Sequence, residues 1–117
     1  YEKKNYVLMG DLNTTGFNIK DEDGEKFQDF LLETSSFSIS EKLECTSYWD
    51  GRDEDPAMIS SILDHIIVSQ SRKSQIKSYE VGTHCAKVSC KAALPEELGR
   101  TFMNVSDHCP LKVVFSK

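Results

Sequence analysis

The segment Ile62–Ser69, reading Ile-Leu-Asp-His-Ile-Ile-Val-Ser, constrains the fold more than any other stretch of this chain. Apolar and β-branched residues surround a single Asp-His pair, the pattern of a strand buried on both faces. Such a strand belongs inside a sheet and needs cover from two sides. One cover is visible. After Gly24, the residues Phe27, Phe30, Leu31 and, further on, Phe37 recur near helical spacing, which predicts a helix over about Glu25–Thr34 with its apolar stripe on the sheet. A single helix protects a single face. The other face has no evident cover, so the chain is expected to associate through it, with a second copy or with a further part of the same domain.

The remaining signals are shorter. Asn5–Met9 reads as a strand whose tip turns at Gly10. Lys42–Trp49 reads as a strand broken by the acidic stretch Asp50–Pro56. Tyr79–Val81 suits an edge strand, Pro95–Leu98 a helical turn with proline in its first position, and Leu111–Phe115 a closing strand after Pro110. No internal repeat, low-complexity tract or linker divides the chain. These elements predict one α+β domain spanning residues 1–117, a mixed or antiparallel sheet with a flanking helix. At 117 residues such a domain buries roughly two thirds of its unfolded surface and forms a core without staples.

Composition excludes some functions. No apolar run approaches the roughly 20 residues that a bilayer span requires. Lys and Arg total 14 against 19 Asp and Glu, for a formal charge of -5. Residues 1–69 carry 6 basic and 15 acidic side chains, and residues 70–117 carry 8 and 4. An acidic domain binds polyanions poorly, because that affinity comes mainly from Lys and Arg. A divalent cation among the acids reverses the local sign. The runs Asp21–Asp23 and Asp50–Asp55 read as solvated loops. The cysteines Cys45, Cys85, Cys90 and Cys109 lack C-x-x-C spacing, which indicates neither a zinc site nor a redox pair. His84 beside Cys85 and Cys90 fits ordinary thiols better than partial metal ligation, and the oxidation state, like the compartment, stays open. The chain begins Tyr1-Glu2-Lys3-Lys4, with neither Met nor a charged-then-apolar leader, so the natural N-terminus is expected upstream.

Three motifs carry candidate chemistry: Gly10-Asp11-Leu12-Asn13, Leu63-Asp64-His65-Ile66 and Ser106-Asp107-His108-Cys109-Pro110. Each sits where a strand-like run begins or ends, and a rigid sheet holds reactive groups well at such places. Asp11 and Asn13 leave the sheet on one face if the strand runs that far. There the carboxylate serves a cation or water, and the amide donates to a phosphoryl oxygen without adding charge. Taken alone, Gly-Asp-x-Asn is an ordinary turn. Pro110 holds Cys109 extended and so fixes the approach of His108. A neutral imidazole accepts a proton from water when a carboxylate holds its other nitrogen, and Asp64 is the expected partner. Asp107 is expected to face a metal. An isolated Ser-Asp-His more commonly caps a surface strand. His65 alternates with Asp64, points to the opposite face and is expected to be structural. Tyr48 and Trp49 suit either a pocket wall or the core.

In this order the motifs resemble the second half of the endonuclease/exonuclease/phosphatase superfamily. The resemblance implies half of a four-layer α/β/β/α sandwich, with residues 1–117 as the C-terminal part of the domain. It matches Asp11 and Asn13 to residues contacting the scissile phosphate and attacking water, and Asp64 to the acid that orients the histidine. Asp107, together with Asp11, falls on metal-ligand positions for Mg²⁺ or Mn²⁺, and His108 on the general-base or transition-state-stabilising histidine. It further implies an N-terminal half, absent here, that supplies the principal metal-ligand Glu. The Leu-Asp-His-Ile form departs from the Leu-Asp-Tyr form of abasic-site endonucleases. The reading is therefore a Mg²⁺-dependent phosphodiester hydrolase acting on nucleic acid, the nuclease branch being the broader one. Its alternatives are a lipid or inositol phosphate phosphodiesterase or phosphatase of the same superfamily, and a non-catalytic binding module. Without its partner half the chain is expected to be inactive.

Overall fold

The computed structural model describes residues 5–14, 21–51 and 54–117. Thr15 and Gly16, which follow Thr14 in the sequence, lie outside the described residues, as do Arg52 and Asp53 of the acidic stretch. The central sheet has the order β1-β5-β2, all antiparallel, from strands β1 (Val7–Asp11), β2 (Ser36–Ser38) and β5 (Asp64–Ser69). Pairing runs from Val7 opposite Val68 to Asp11 opposite Asp64, and Phe37 lies opposite Val68 on the other side. β5 is therefore the middle strand, as its composition demands, and its last five residues are buried.

Side-chain alternation along β5 sorts the core into layers. His65 and Ile67 face helix α1 (Glu22–Glu33), where Phe27 and Leu31 pack on Ile67 and Phe27 lies 4.5 Å from the His65 ring. Ile66 and Val68 face the other way, onto Phe37, Ile39 and the partly buried Ile76, Leu111, Val113 and Phe115. Those last four belong to an antiparallel pair, β6 (Ile76–Val81) and β7 (Leu111–Phe115). This corrects the expectation of a bare second face: the chain covers β5 on both sides by itself. Tyr79–Val81 alone looked like an edge strand, whereas β6 starts three residues earlier and contributes Ile76 to the core. What stays open is β1, whose five residues are all exposed, including Val7, Leu8 and Met9.

Several boundaries differ for identifiable reasons. Helix α1 begins at Glu22 because Asp21 caps it, its carboxylate accepting the Gly24 N–H at 3.0 Å. The first acidic run is thus a helix start with acids in its first turn, where the helix dipole favours them. The helix stops at Thr34, whose hydroxyl donates to the Phe30 carbonyl, and Ser35 turns the chain in the left-handed region at φ 49°. Phe37 accordingly leaves the helix stripe and joins β2. Gly10 does not turn the chain but stands within β1 opposite His65, so the strand reaches Asp11. The expected strand over Lys42–Trp49 shrinks to β3 (Ser47–Trp49), paired with β4 (Ile59–Ser61), since Ile39–Lys42 forms a 3₁₀ turn.

A second core lies behind the β3–β4 pair. Cys45, Tyr48, Cys85, Ala93, Leu98 and Cys109 fill it, under the short helices α2 (Thr83–Lys87), α3 (Pro95–Leu98) and α4 (Arg100–Asn104). Two disulfides, Cys45–Cys90 and Cys85–Cys109, staple it. All four cysteines are thus structural, a role their spacing did not announce, because the pairs close over 45 and 24 residues. Tyr48 is buried here and its hydroxyl donates to the Lys91 carbonyl at 2.7 Å, while Trp49, one residue on, is half exposed.

Candidate active site

Asp11 ends β1, Asp64 starts β5, and the two stand opposite one another as the last pair of the ladder. Leu12 N–H donates to the Leu63 carbonyl just beyond, at 2.9 Å, and locks the tip. The segment Ser106–Pro110 then brings His108 to the same place. Tyr48 N–H donates to the Asp107 carbonyl and Cys109 N–H to the Thr46 carbonyl, at 3.0 and 2.8 Å. His84, fully buried, adds an Nε2–H bond to the same Asp107 carbonyl at 3.3 Å. The Cys85–Cys109 disulfide anchors the residue after His108. The imidazole is therefore carried on a loop tied to rigid structure at nearly every residue, as a site requiring fixed geometry needs.

His108 Nδ1 lies 2.8 Å from Asp64 Oδ2. An ionised carboxylate only accepts, so in the neutral ring Nδ1 carries the proton and Nε2 presents its lone pair. Nε2 faces two more carboxylates, Asp11 Oδ2 and Asp107 Oδ1, each at 3.9 Å. Side-chain exposure rises from Asp64 at 20% through His108 at 32% and Asp11 at 49% to Asp107 at 61%, so the dyad is sheltered and the outer acids are wet. Partial burial opposes a charge on His108, but the Asp64 hydrogen bond and the charges of Asp64, Asp107 and Asp11 outweigh it and raise its pKa. A shallow cleft of about 220 Å³ opens beside these groups, lined in part by Asp11, Asp64 and Leu111.

The structure thus brings four expected residues together. Asp11, Asp64 and His108 each offer a ligand atom within 4.8 Å of the others, and carboxylate oxygens suit a hard divalent cation. Asp107 stands at the rim of that group, near Nε2. Asn13 does not share a strand face with Asp11: β1 has ended, Asn13 sits in the left-handed region at φ 52°, and its backbone N–H donates to Asp11 Oδ1 at 2.8 Å. Its main chain thereby orients the Asp11 carboxylate, a turn of the kind the tetrapeptide favours on its own.

His65 is held apart from this cluster. Fully buried, it lies with Nδ1 2.8 Å from Ser38 Oγ and Nε2 2.7 Å from Thr14 Oγ1. Thr14 spends its one proton on the Ile62 carbonyl, so it accepts from Nε2–H, and Ser38 donates to Nδ1. Burial lowers its pKa to about 4 against the opposing charges of Asp64 and Asp11. The second set of metal-capable side chains, His84, Cys85 and Cys109, has both sulfurs in a disulfide and offers no thiolate.

Sequence reasoning missed Thr46, Thr14 and Ser38, the hydroxyls that hold this region from beneath. Only the alternation of Ser36, Ser38 and Ser40 hinted at a polar strand face turned inward. No protein-family model matches the chain, and no curated protein sequence matches it.

Proposed function

We propose that this chain is part of a divalent-cation-dependent phosphodiester hydrolase, a nuclease of the endonuclease/exonuclease/phosphatase type, and that it forms the C-terminal half of a four-layer sandwich. The observation that carries the reading is the sheltered Asp64–His108 pair with Nε2 turned toward Asp11 and Asp107. Asp64 fixes the tautomer and stabilises the imidazolium that forms when Nε2 takes a proton from water. Asp11 would hold Mg²⁺ or Mn²⁺ beside the Asp64–His108 pair, with Asp107 at the rim; such an ion would polarise a phosphoryl oxygen and offset the acidic charge that would repel a phosphodiester. Asn13, through its backbone N–H, orients the Asp11 carboxylate for this role. Two carboxylates leave a hard cation short of ligands, which supports a further part of the domain completing the site over the exposed β1. Full pairing of the cysteines supports maturation in an oxidising compartment.

The test is hydrolysis of DNA, RNA, phospholipid and inositol phosphate substrates by the protein that carries this chain, with Mg²⁺ and with chelator. Metal-dependent cleavage of nucleic acid is the expected result. Cleavage of only a lipid or inositol substrate moves the protein to another branch, and no cleavage of any leaves a binding module as the better reading.

A further inference from the structure

Thr46 touches neither imidazole nor carboxylate of the candidate site, yet it bonds to both segments that carry the dyad. Its side chain is wholly buried. Its hydroxyl oxygen accepts from the backbone N–H of Leu63 at 3.0 Å and of Asp64 at 3.1 Å. The same residue's carbonyl accepts from Cys109 N–H at 2.8 Å, and its own N–H donates to the Ser61 carbonyl at 2.7 Å. Asp64 begins one strand and His108 precedes Cys109 on a loop 44 residues away. No sequence-local geometry relates them.

We infer that Thr46 is a positioning residue: one side-chain oxygen pins the start of β5 and one carbonyl pins the His108 loop, so that one residue bonds both segments and contributes to the separation of Asp64 from His108. A hydrogen bond of 2.8 Å between two side chains on different segments tolerates little drift, and misplacement by about 1 Å costs up to roughly a hundredfold in rate. Threonine suits the task because its oxygen accepts two converging N–H groups while its methyl fills apolar space. Valine keeps the shape and leaves both donors unpartnered in a buried place. The importance of Thr46 for catalysis rests on the hydrolase reading above; its contribution to the dyad geometry does not.

The experiment is proton NMR of the 117-residue chain, following the downfield resonance of the His108 Nδ1–H held by Asp64. The buried His65 Nε2–H, held by Thr14, reports whether the fold is intact. Thr46→Ser is expected to leave the His108 resonance at its wild-type position. Thr46→Val and Thr46→Ala are expected to shift or broaden it while the His65 resonance stays. In the active protein the same two variants should lower kcat roughly ten- to hundredfold with KM little changed, and serine should restore it. A folded valine or alanine variant with an unchanged His108 resonance overturns the inference. If both unfold the chain, serine decides: an unshifted His108 resonance sustains the role of the hydroxyl, and a displaced one overturns it. Absence of hydrolysis in the parent defeats the proposed function and leaves the resonance result standing.

Discussion

On the helix side of β5, His65 is 1% exposed, clamped between two hydroxyls and packed on Phe27. One residue earlier, on the other side, Asp64 meets a histidine from a distant loop, with two further carboxylates at the rim. The charges are nearly the same for both rings, since Asp64 and Asp11 act on each. Burial decides the outcome. Where desolvation dominates, the imidazole stays neutral and serves as a two-ended hydrogen-bonding block in the core. Where a direct carboxylate bond and partial solvent access prevail, it binds its proton more tightly and can exchange it. The alternation of β5 places Asp64 and His65 on opposite faces, so one meets a partly exposed imidazole and the other stays within the core.

Substitution should break the comparison most sharply. His108→Ala in the active protein is expected to lower turnover by about 10²–10⁴-fold, with a much smaller change in substrate binding, because a general base acts mainly in the transition state. Asp64→Asn should give a related defect, leaving the imidazole present but poorly oriented. His65→Ala should instead destabilise the fold by roughly 2–4 kcal/mol, through a cavity against Phe27 and two stranded hydroxyls. Steady-state kinetics beside urea unfolding separates these outcomes. Equal turnover losses for the two histidine variants at unchanged stability would mean that the faces are wrongly assigned.

Next in size is the staple behind the site. Replacing both Cys85 and Cys109 with Ser removes a cross-link over 24 residues and is expected to cost ~3 kcal/mol. The loss should be unevenly felt: amide hydrogen exchange should rise across Ser106–Pro110 and change little along β2 and around His65. Uniform loosening of both regions would show that the disulfide supports the whole fold and not the His108 loop.

The two histidines should also oppose each other in the pH dependence of stability. The folded-state pKa of His65, about 4, lies below the ordinary 6.5, so the unfolded chain takes up a proton first as pH falls. Stability is therefore lost from about pH 6.5 downward and levels off below pH 4, by roughly 3 kcal/mol for this group. His108 has a raised pKa, so its contribution is complete below pH 6.5 and is lost as pH rises through the folded value. Comparing wild type with His65→Gln by urea titration between pH 4 and 8 isolates the first effect. An unchanged acid limb in that variant would rule out His65 as its source.

How much of this was legible depends on the range of the interaction. The burial of β5, the apolar stripe of α1, the closing strand at Leu111–Phe115 and the alternation of Asp64 with His65 all follow from local pattern. The pairing of Asp64 with His108 was expected because the chemistry of imidazole calls for a carboxylate, and the structure places the two at 2.8 Å. The two disulfides, the β6–β7 cover and the hydroxyls of Thr14, Ser38 and Thr46 depend on segments meeting across 17 to 51 positions, about which composition and spacing are silent. The shared strand face of Asp11 and Asn13 failed for a local reason instead: an Asx-type turn competes with strand extension after a glycine, and the turn won.

The smallest expected effect concerns the cation. Asp11 and Asp107 stand on the wet side with Nε2 between them, whereas the ring nitrogens of His65 already have their partners. Mg²⁺ added to the 117-residue chain should therefore move the ring resonances of His108 and leave those of His65 in place. So few carboxylates would make a weak site, so saturation is expected only near the millimolar range. Ca²⁺, which accepts looser geometry, should compete, and Asp11→Asn should abolish the shift without altering the fold. A shift at His65 equal to that at His108 would mean that the ion acts on the fold as a whole. Saturation at micromolar Mg²⁺ would mean that this chain supplies a complete set of ligands by itself, and the case for a second part of the domain over β1 would fall with it.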